Sequence, residues 1–187
     1  MDDFLNPSAP AGKSRKYARS EHERRFLLTA IPEGTIVCTA RITDHYVLGA
    51  RLRVRCMVET SDGNSSTVYK LTQKVPAPRG GPGLLTTMYL DPSEYAALAA
   101  LASRQLCKTR HGIPPFVIDV FDPPLDGLIM AELECDTDEE LQASAPPPSA
   151  VAEVTKDIRF TGGRLVATSR DELRQALAAY GVQLMRP

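Results

Sequence analysis

The chain has 187 residues with 22 Lys and Arg against 23 Asp and Glu, a length that suits one domain with a real core and a balance that excludes broad, sequence-independent binding to nucleic acid or a membrane surface. Cys38, Cys56, Cys107 and Cys135 form no CxxC pair, so neither a structural zinc site nor a disulfide framework is indicated, and they read as small apolar residues in a reducing compartment. No basic-then-apolar leader and no apolar run near about 18 residues are present, and the expectation is a cytoplasmic protein that does not span a membrane.

Residues 1–14 mix Asp, Asn, Pro, Ala, Gly and Ser without periodicity and read as a disordered tail. Alternation then predicts strands over about 18–29, 36–46, 50–60, 67–75 and 84–90, separated by Ile31-Pro32-Glu33-Gly34, by Ser61-Asp62-Gly63-Asn64 and by a Pro/Gly segment from Pro76 to Gly83. Asp62-Gly63 between two alternating runs signals a hairpin. Asp91-Pro92-Ser93-Glu94 combines an N-cap, a proline at the first helical position and a glutamate that closes a capping box, which predicts a helix to about Leu106. Strands resume over about 106–111, 116–122 and 128–135. A short helix capped by Thr137 follows and is stopped by Pro146-Pro147-Pro148, then a strand pair over about 151–168. Ser169 with Glu172 caps a final helix that Gly181 ends, and Gly162-Gly163, lacking the GxxxxGK pattern, reads as a turn. The sum is a strand-rich α+β chain with eight or nine strands, enough to curl round on itself.

One pattern runs through these strands. Glu21, Glu23 and Arg25 share a parity, as do Arg51, Arg53 and Arg55, then Lys70, Thr72 and Lys74, then Lys108 and Arg110, then Glu132 and Glu134. Residues two apart on a strand point to one face, so each strand turns a charged face in one direction. Any sheet with one wet face shows such alternation. Three arginines on one face, however, repel one another unless carboxylates or anions sit opposite. If the faces meet, they line one pocket with carboxylates for a divalent cation and Arg or Lys for phosphate oxygens, which suits a metal-bound polyphosphate.

The charged runs, in this order, resemble the CYTH superfamily, or triphosphate tunnel metalloenzymes, which includes thiamine triphosphatases, inorganic tripolyphosphatases and class IV adenylyl cyclases. The resemblance extends from Glu21 to about Ala167. The family's ExExK opening stands as Glu21-His22-Glu23-Arg24-Arg25, with arginine for lysine. Its RxRxR-like strand matches Arg51-Leu52-Arg53-Val54-Arg55, its LTxK strand Leu71-Thr72-Gln73-Lys74, and its KxR strand Lys108-Thr109-Arg110. Asp119-Val120-Phe121 matches a later DxF, Gly127 to Glu134 matches GLxxAExE, and Glu153-Val154-Thr155-Lys156-Asp157 matches EVTxD.

The resemblance implies an eight-stranded antiparallel β-barrel with flanking helices, one tunnel domain over residues 15–187, and a lumen that binds a triphosphate with Mg²⁺ or Mn²⁺. It implies Glu21, Glu23, Glu132 and Glu134 as metal ligands, Arg25, Arg53, Arg55, Lys74, Lys108 and Arg110 as a phosphate clamp, and Glu21 or Glu23 to orient the attacking water. Arg51 and Lys70 share the parity, match less firmly and are assigned to the tunnel mouths; Asp44 precedes the arginine strand, and reaching a mouth is the lesser of its readings. The family's hydrolases usually carry a second acidic pair where this chain has Leu85-Thr86-Thr87-Met88-Tyr89, which leaves the expected lumen more basic. The expected activity is metal-dependent release of the terminal phosphate from inorganic tripolyphosphate or an organic triphosphate. The alternatives are a polyphosphate or nucleotide binder without rapid turnover, and nucleotide cyclisation. Two amphipathic helices brace the barrel or form a homodimer contact, and periodicity does not choose between these.

Overall fold

A computed structural model describes residues 17–75 and 83–184; the expected N-terminal tail lies almost wholly outside them. In chain order the elements are β1 (Arg19–Ser20), β2 (Glu23–Leu28), β3 (Cys38–Val47), β4 (Leu52–Ser61), β5 (Asn64–Val75), β6 (Leu84–Leu90), α1 (Pro92–Ala99), β7 (Ser103–Ile113), β8 (Phe116–Phe121), β9 (Ile129–Glu134), α2 (Asp138–Ala143), β10 (Ala150–Glu153), a 3₁₀ turn (Ile158–Phe160), α3 (Gly162–Leu165) and α4 (Arg170–Ala178).

The strands form one antiparallel sheet of ten, ordered β1-β6-β5-β4-β3-β7-β8-β9-β2-β10. The α+β class therefore stands, but the ladder has ten strands rather than eight and its two ends do not pair with each other. The reason lies in the second edge of β2. The Glu21 N–H, just upstream, donates to Gly83 O on the β6 side at 3.0 Å, while Phe26–Leu28 pair with β10. One stretch of chain thus serves both ends of the sheet, and the strand expected over 18–29 divides into β1 and β2. The curl is carried by side chains: Lys74 on β5 reaches Glu21 at 2.5 Å and Glu23 on β2 at 3.5 Å.

Local signals account for the connections. Asp62 and Gly63 take positive φ of 49° and 77° between β4 and β5, the conformation a two-residue hairpin of that hand needs. Asp91 and Ser169 close the expected capping boxes. The first helix stops at Ala99, short of the expected end, because Arg104, Gln105 and Leu106 are claimed by β7 to pair with Tyr46, His45 and Asp44. The strand pair expected over 151–168 is replaced by β10 alone, then the 3₁₀ turn capped by Asp157 and the short α3.

The main core lies between one end of the sheet's inner face and the C-terminal elements. Leu27, Leu106, Phe121 and Met130 meet Phe160, Leu165, Leu173 and Leu177 there, all at most 5% exposed. Burial of this kind contributes roughly 1.5–3 kcal/mol per large side chain. Phe26, Leu28, Ile118 and Ala131, of opposite parity, build a second cluster on the other face. The four cysteines are free, and among the described residues no helix is long and apolar enough to cross a membrane.

Candidate functional site

Register decides what parity suggested. Directly paired residues of neighbouring strands share a face, and the pairs Glu23↔Glu134, Arg25↔Glu132, Val117↔Glu132 and Arg110↔Asp119 connect β2, β9, β8 and β7. Ile42↔Lys108, Asp44↔Arg55, Tyr46↔Arg53, Arg55↔Lys70 and Lys70↔Tyr89 carry the same face on through β3, β4, β5 and β6. The expected site residues Glu23, Arg25, Arg53, Arg55, Lys108, Arg110, Glu132 and Glu134 therefore lie on one face. Lys74 and Glu21 join them through their ion pair. Arg51 is exposed and stands outside this group.

Within that face the cations are not equivalent. Arg25 donates to Thr155 O at 2.6 Å and Phe160 O at 2.7 Å, which ties β2 to the C-terminal segment. Arg55 grips both oxygens of Asp44 at 2.6 and 2.8 Å, and Arg53 Nε lies 3.6 Å from the same carboxylate. Asp119 is held by Lys108 and by two hydrogen bonds of 2.7 Å from Arg110, which also reaches Glu132 at 2.5 Å. Arg25, Arg55 and Lys108 are buried, whereas Arg53, Lys74 and Arg110 keep 27%, 48% and 21% of their side chains open to solvent. Two guanidinium donors on this face, Arg25 Nε and Arg53 Nε, are buried and make no hydrogen bond among the described residues, with Glu23 Oε1 3.4 Å from the first and Asp44 3.6 Å from the second. A buried donor in that state costs free energy until an acceptor arrives.

Electrostatics follows the pairing. Burial pushes Asp44 up, but the hydrogen bonds and charge of Arg55, with Arg53 and Lys108 behind it, outweigh burial and hold the carboxyl below the usual range. Asp119 is likewise pushed up by burial and held well below that range by Lys108 and Arg110. Glu132 is lowered in the same way: burial opposes ionisation, and Lys108, Arg110 and Arg55 prevail over the repulsion of Asp119. Glu23 goes the other way. Burial raises it, Glu132 and Glu21 add to the rise, and Lys74 only partly offsets them. Burial and the nearby Asp44 push the Tyr46 phenol up to about 12.

Sequence reasoning missed the two aspartates as members of the site. Asp44 is 1% exposed, so it is a buried counter-ion and not a residue at a mouth. Asp119 is fully buried, and its signal was present in the matched DxF run. These carboxylates offset the more basic lumen expected from β6, whose inner positions are Leu85, Thr87 and Tyr89. Gly162 and Gly163 open α3 and do not form the expected turn, and a Cβ at Gly162 would overlap the Tyr46 hydroxyl. His22 lies off this face and bonds Asp138 at 2.7 Å.

Among the described residues no three His, Cys, Asp or Glu side chains already converge as a metal cluster. The donor chemistry of Glu21, Glu23, Glu132 and Glu134 nevertheless fits a hard divalent cation, since all supply carboxylate oxygens. Cavities of about 250 Å³ beside Arg159 and Arg164 and about 200 Å³ beside Arg24 and Phe26 lie away from this face. Charge, more than concavity, defines the site.

A curled antiparallel sheet whose inner face carries paired carboxylates and Arg/Lys groups is the class of protein that fold and site define. Two solved structures of NE1496, one described as an inorganic triphosphatase, are similar to this chain: identity is 25% and 26%, coverage is 80% of this chain and 96% and 99% of theirs, and the TM-scores are 0.52 and 0.53. The chain thus resembles the triphosphate tunnel metalloenzymes in fold as well as in motif order. No family model matches it, and no curated protein matches it.

Proposed function

We propose that the protein is a divalent-metal-dependent triphosphatase whose curled sheet forms a tunnel for a triphosphate and whose reaction releases the terminal phosphate. The observation that carries this reading is the set of donors at Arg53, Arg110 and Lys74, partly open to solvent on one face, with Arg53 Nε making no hydrogen bond among the described residues. Phosphate oxygens supply the missing acceptors, and guanidinium groups meet them in a bidentate fashion. The similarity to NE1496 supports the same reading.

In this proposal Arg53, Arg110 and Lys74 contact the phosphoryl groups, while the more buried Arg25, Arg55 and Lys108 set the potential around them. Closing protein around a desolvated polyanion demands such matching, because an unpaired buried charge costs several kcal/mol. Glu21, Glu23, Glu132 and Glu134 would hold Mg²⁺ or Mn²⁺, which when bound neutralises charge on the phosphate oxygens. Glu21 or Glu23 accepts a hydrogen bond from the attacking water and orients it.

The test is phosphate release from tripolyphosphate, thiamine triphosphate and nucleoside triphosphates with Mg²⁺, Mn²⁺ or chelator. Metal-dependent release from any of them is expected; no release from a folded sample would overturn the hydrolase reading. Glu134 is exposed, so Glu134→Ala should hold its stability within about 0.5 kcal/mol and lose metal-dependent turnover. Unchanged turnover would refute its place among the metal ligands. A second reading, a polyphosphate binder without rapid turnover, is favoured by the absence of any carboxylate at the inner positions Leu85, Thr87 and Tyr89 of β6. Calorimetric binding without phosphate release would establish it.

A further inference from the structure

The charged inner face has an apolar border at one rim. Asp44, Arg55, Lys70 and Tyr89 stand in one cross-strand row over β3, β4, β5 and β6, and the row beside it reads Ile42, Met57 and Val68. Ile42 is fully buried as the floor of that strip, while Met57 and Val68 are half-buried. Tyr89 ends the charged row with 73% of its surface open, and the Lys70 ammonium lies 5.2 Å from its ring centroid. A lone exposed tyrosine is ordinary surface. This one is on the inner face, since its β6 neighbour of equal parity, Thr87, meets the buried Thr72 hydroxyl at 3.4 Å.

We infer that Tyr89, Met57 and Val68 form the subsite for the organic part of the substrate, a planar heterocycle stacked on the Tyr89 ring, so that the preferred substrate is an organic triphosphate and not inorganic tripolyphosphate. The inference rests on the triphosphatase reading and deepens it. Three features converge. First, an inorganic chain has no apolar surface to lay against Met57 and Val68, whereas a heterocycle removes them from water. Second, Tyr89 is two strands from Arg55, about 10 Å at the usual strand spacing, so a ring placed there leaves its phosphates pointing into the cation-rich face. Third, Lys70 stands between the two in the cross-strand row with its ammonium over the Tyr89 ring, placed to meet the phosphate nearest the organic group.

The experiment compares kcat/KM for ATP, GTP, UTP and thiamine triphosphate with that for tripolyphosphate, in the full chain and in Tyr89→Ala and Tyr89→Phe. The full chain should favour at least one organic triphosphate. Tyr89→Ala should lower the organic-to-inorganic ratio by about tenfold, the scale of one lost stacking contact, and Tyr89→Phe should restore most of it. A full chain that prefers tripolyphosphate to every organic triphosphate, or a Tyr89→Ala ratio equal to that of the full chain, would overturn the subsite. If nothing is hydrolysed, the hydrolase reading fails while the same ratio is read from calorimetric Kd values, with the same two outcomes deciding. Binding of none of these ligands overturns both.

Discussion

Asp44→Asn tests whether the buried aspartate is what permits two arginines to sit side by side inside the sheet. Arg55 holds the carboxylate through two hydrogen bonds of 2.6 and 2.8 Å, and Arg53 Nε approaches it to 3.6 Å. Asp44 is 1% and Arg55 8% exposed, so water cannot take over. Removing one partner of a buried pair leaves an uncompensated charge and costs about 3–5 kcal/mol. Asn keeps one acceptor oxygen, which puts this substitution near the lower figure and Asp44→Ala near the upper. For a domain of this size each kcal/mol lowers Tm by about 2–4 °C, so the expected fall for Asp44→Asn is about 6–12 °C. Urea unfolding followed by circular dichroism in a buffer free of phosphate and sulfate would give the free energy directly. Added tripolyphosphate should recover part of the loss, because its oxygens substitute for the carboxylate and ligand bound to the native state adds stability. A variant within about 0.5 kcal/mol of the parent would refute the argument, since the guanidinium pair would then not depend on Asp44.

Stability should also respond to acid in a definite direction. Asp44 and Asp119 are held below the ordinary carboxylate range, so their contribution is complete above the unfolded value near about pH 4 and is lost as pH falls through the folded values. Glu23, raised by burial, acts in the opposite sense, but Glu132 and Asp157 are lowered as the two aspartates are. The urea midpoint should fall as pH drops below about 4, and in Asp44→Asn that fall should be shallower; identical slopes would count against the assignment. Gly162→Ala places a Cβ on the Tyr46 hydroxyl and should cost about 1–3 kcal/mol, whereas Gly163→Ala, with nothing within 4 Å, should stay within about 0.5 kcal/mol. Equal urea midpoints for the two variants would show that Tyr46 yields freely.

The alternation of Glu23 and Arg25, of Arg53 and Arg55, and of Glu132 and Glu134 was enough to put the members of each strand on one face, because side-chain direction along a strand follows from covalent geometry, whereas Glu21 lies outside the strands and reaches the site through Lys74. The capping boxes at Asp91 and Ser169 and the Asp62-Gly63 turn were legible for the same reason: each is a local hydrogen bond or a local φ. Other features depended on which strands became neighbours. Asp44 reads in sequence as a polar residue near a strand end, and only the pairing of β3 with β4 sets it against Arg55. The pairing of β7 with β8 likewise turns Asp119 from part of a short motif into the counter-ion of Lys108 and Arg110. The stretch after Glu153 alternates well enough to suggest a strand pair, yet Thr155 O and Phe160 O are drawn in by Arg25, and Gly162 lets α3 close over Tyr46. Local chemistry therefore determined which residues carry charge to the inner face; strand pairing and its register, which set Asp44 against Arg55 and Asp119 against Lys108 and Arg110 from about ten residues away, decided which of those charges are neutralised in place and which stay open to a ligand.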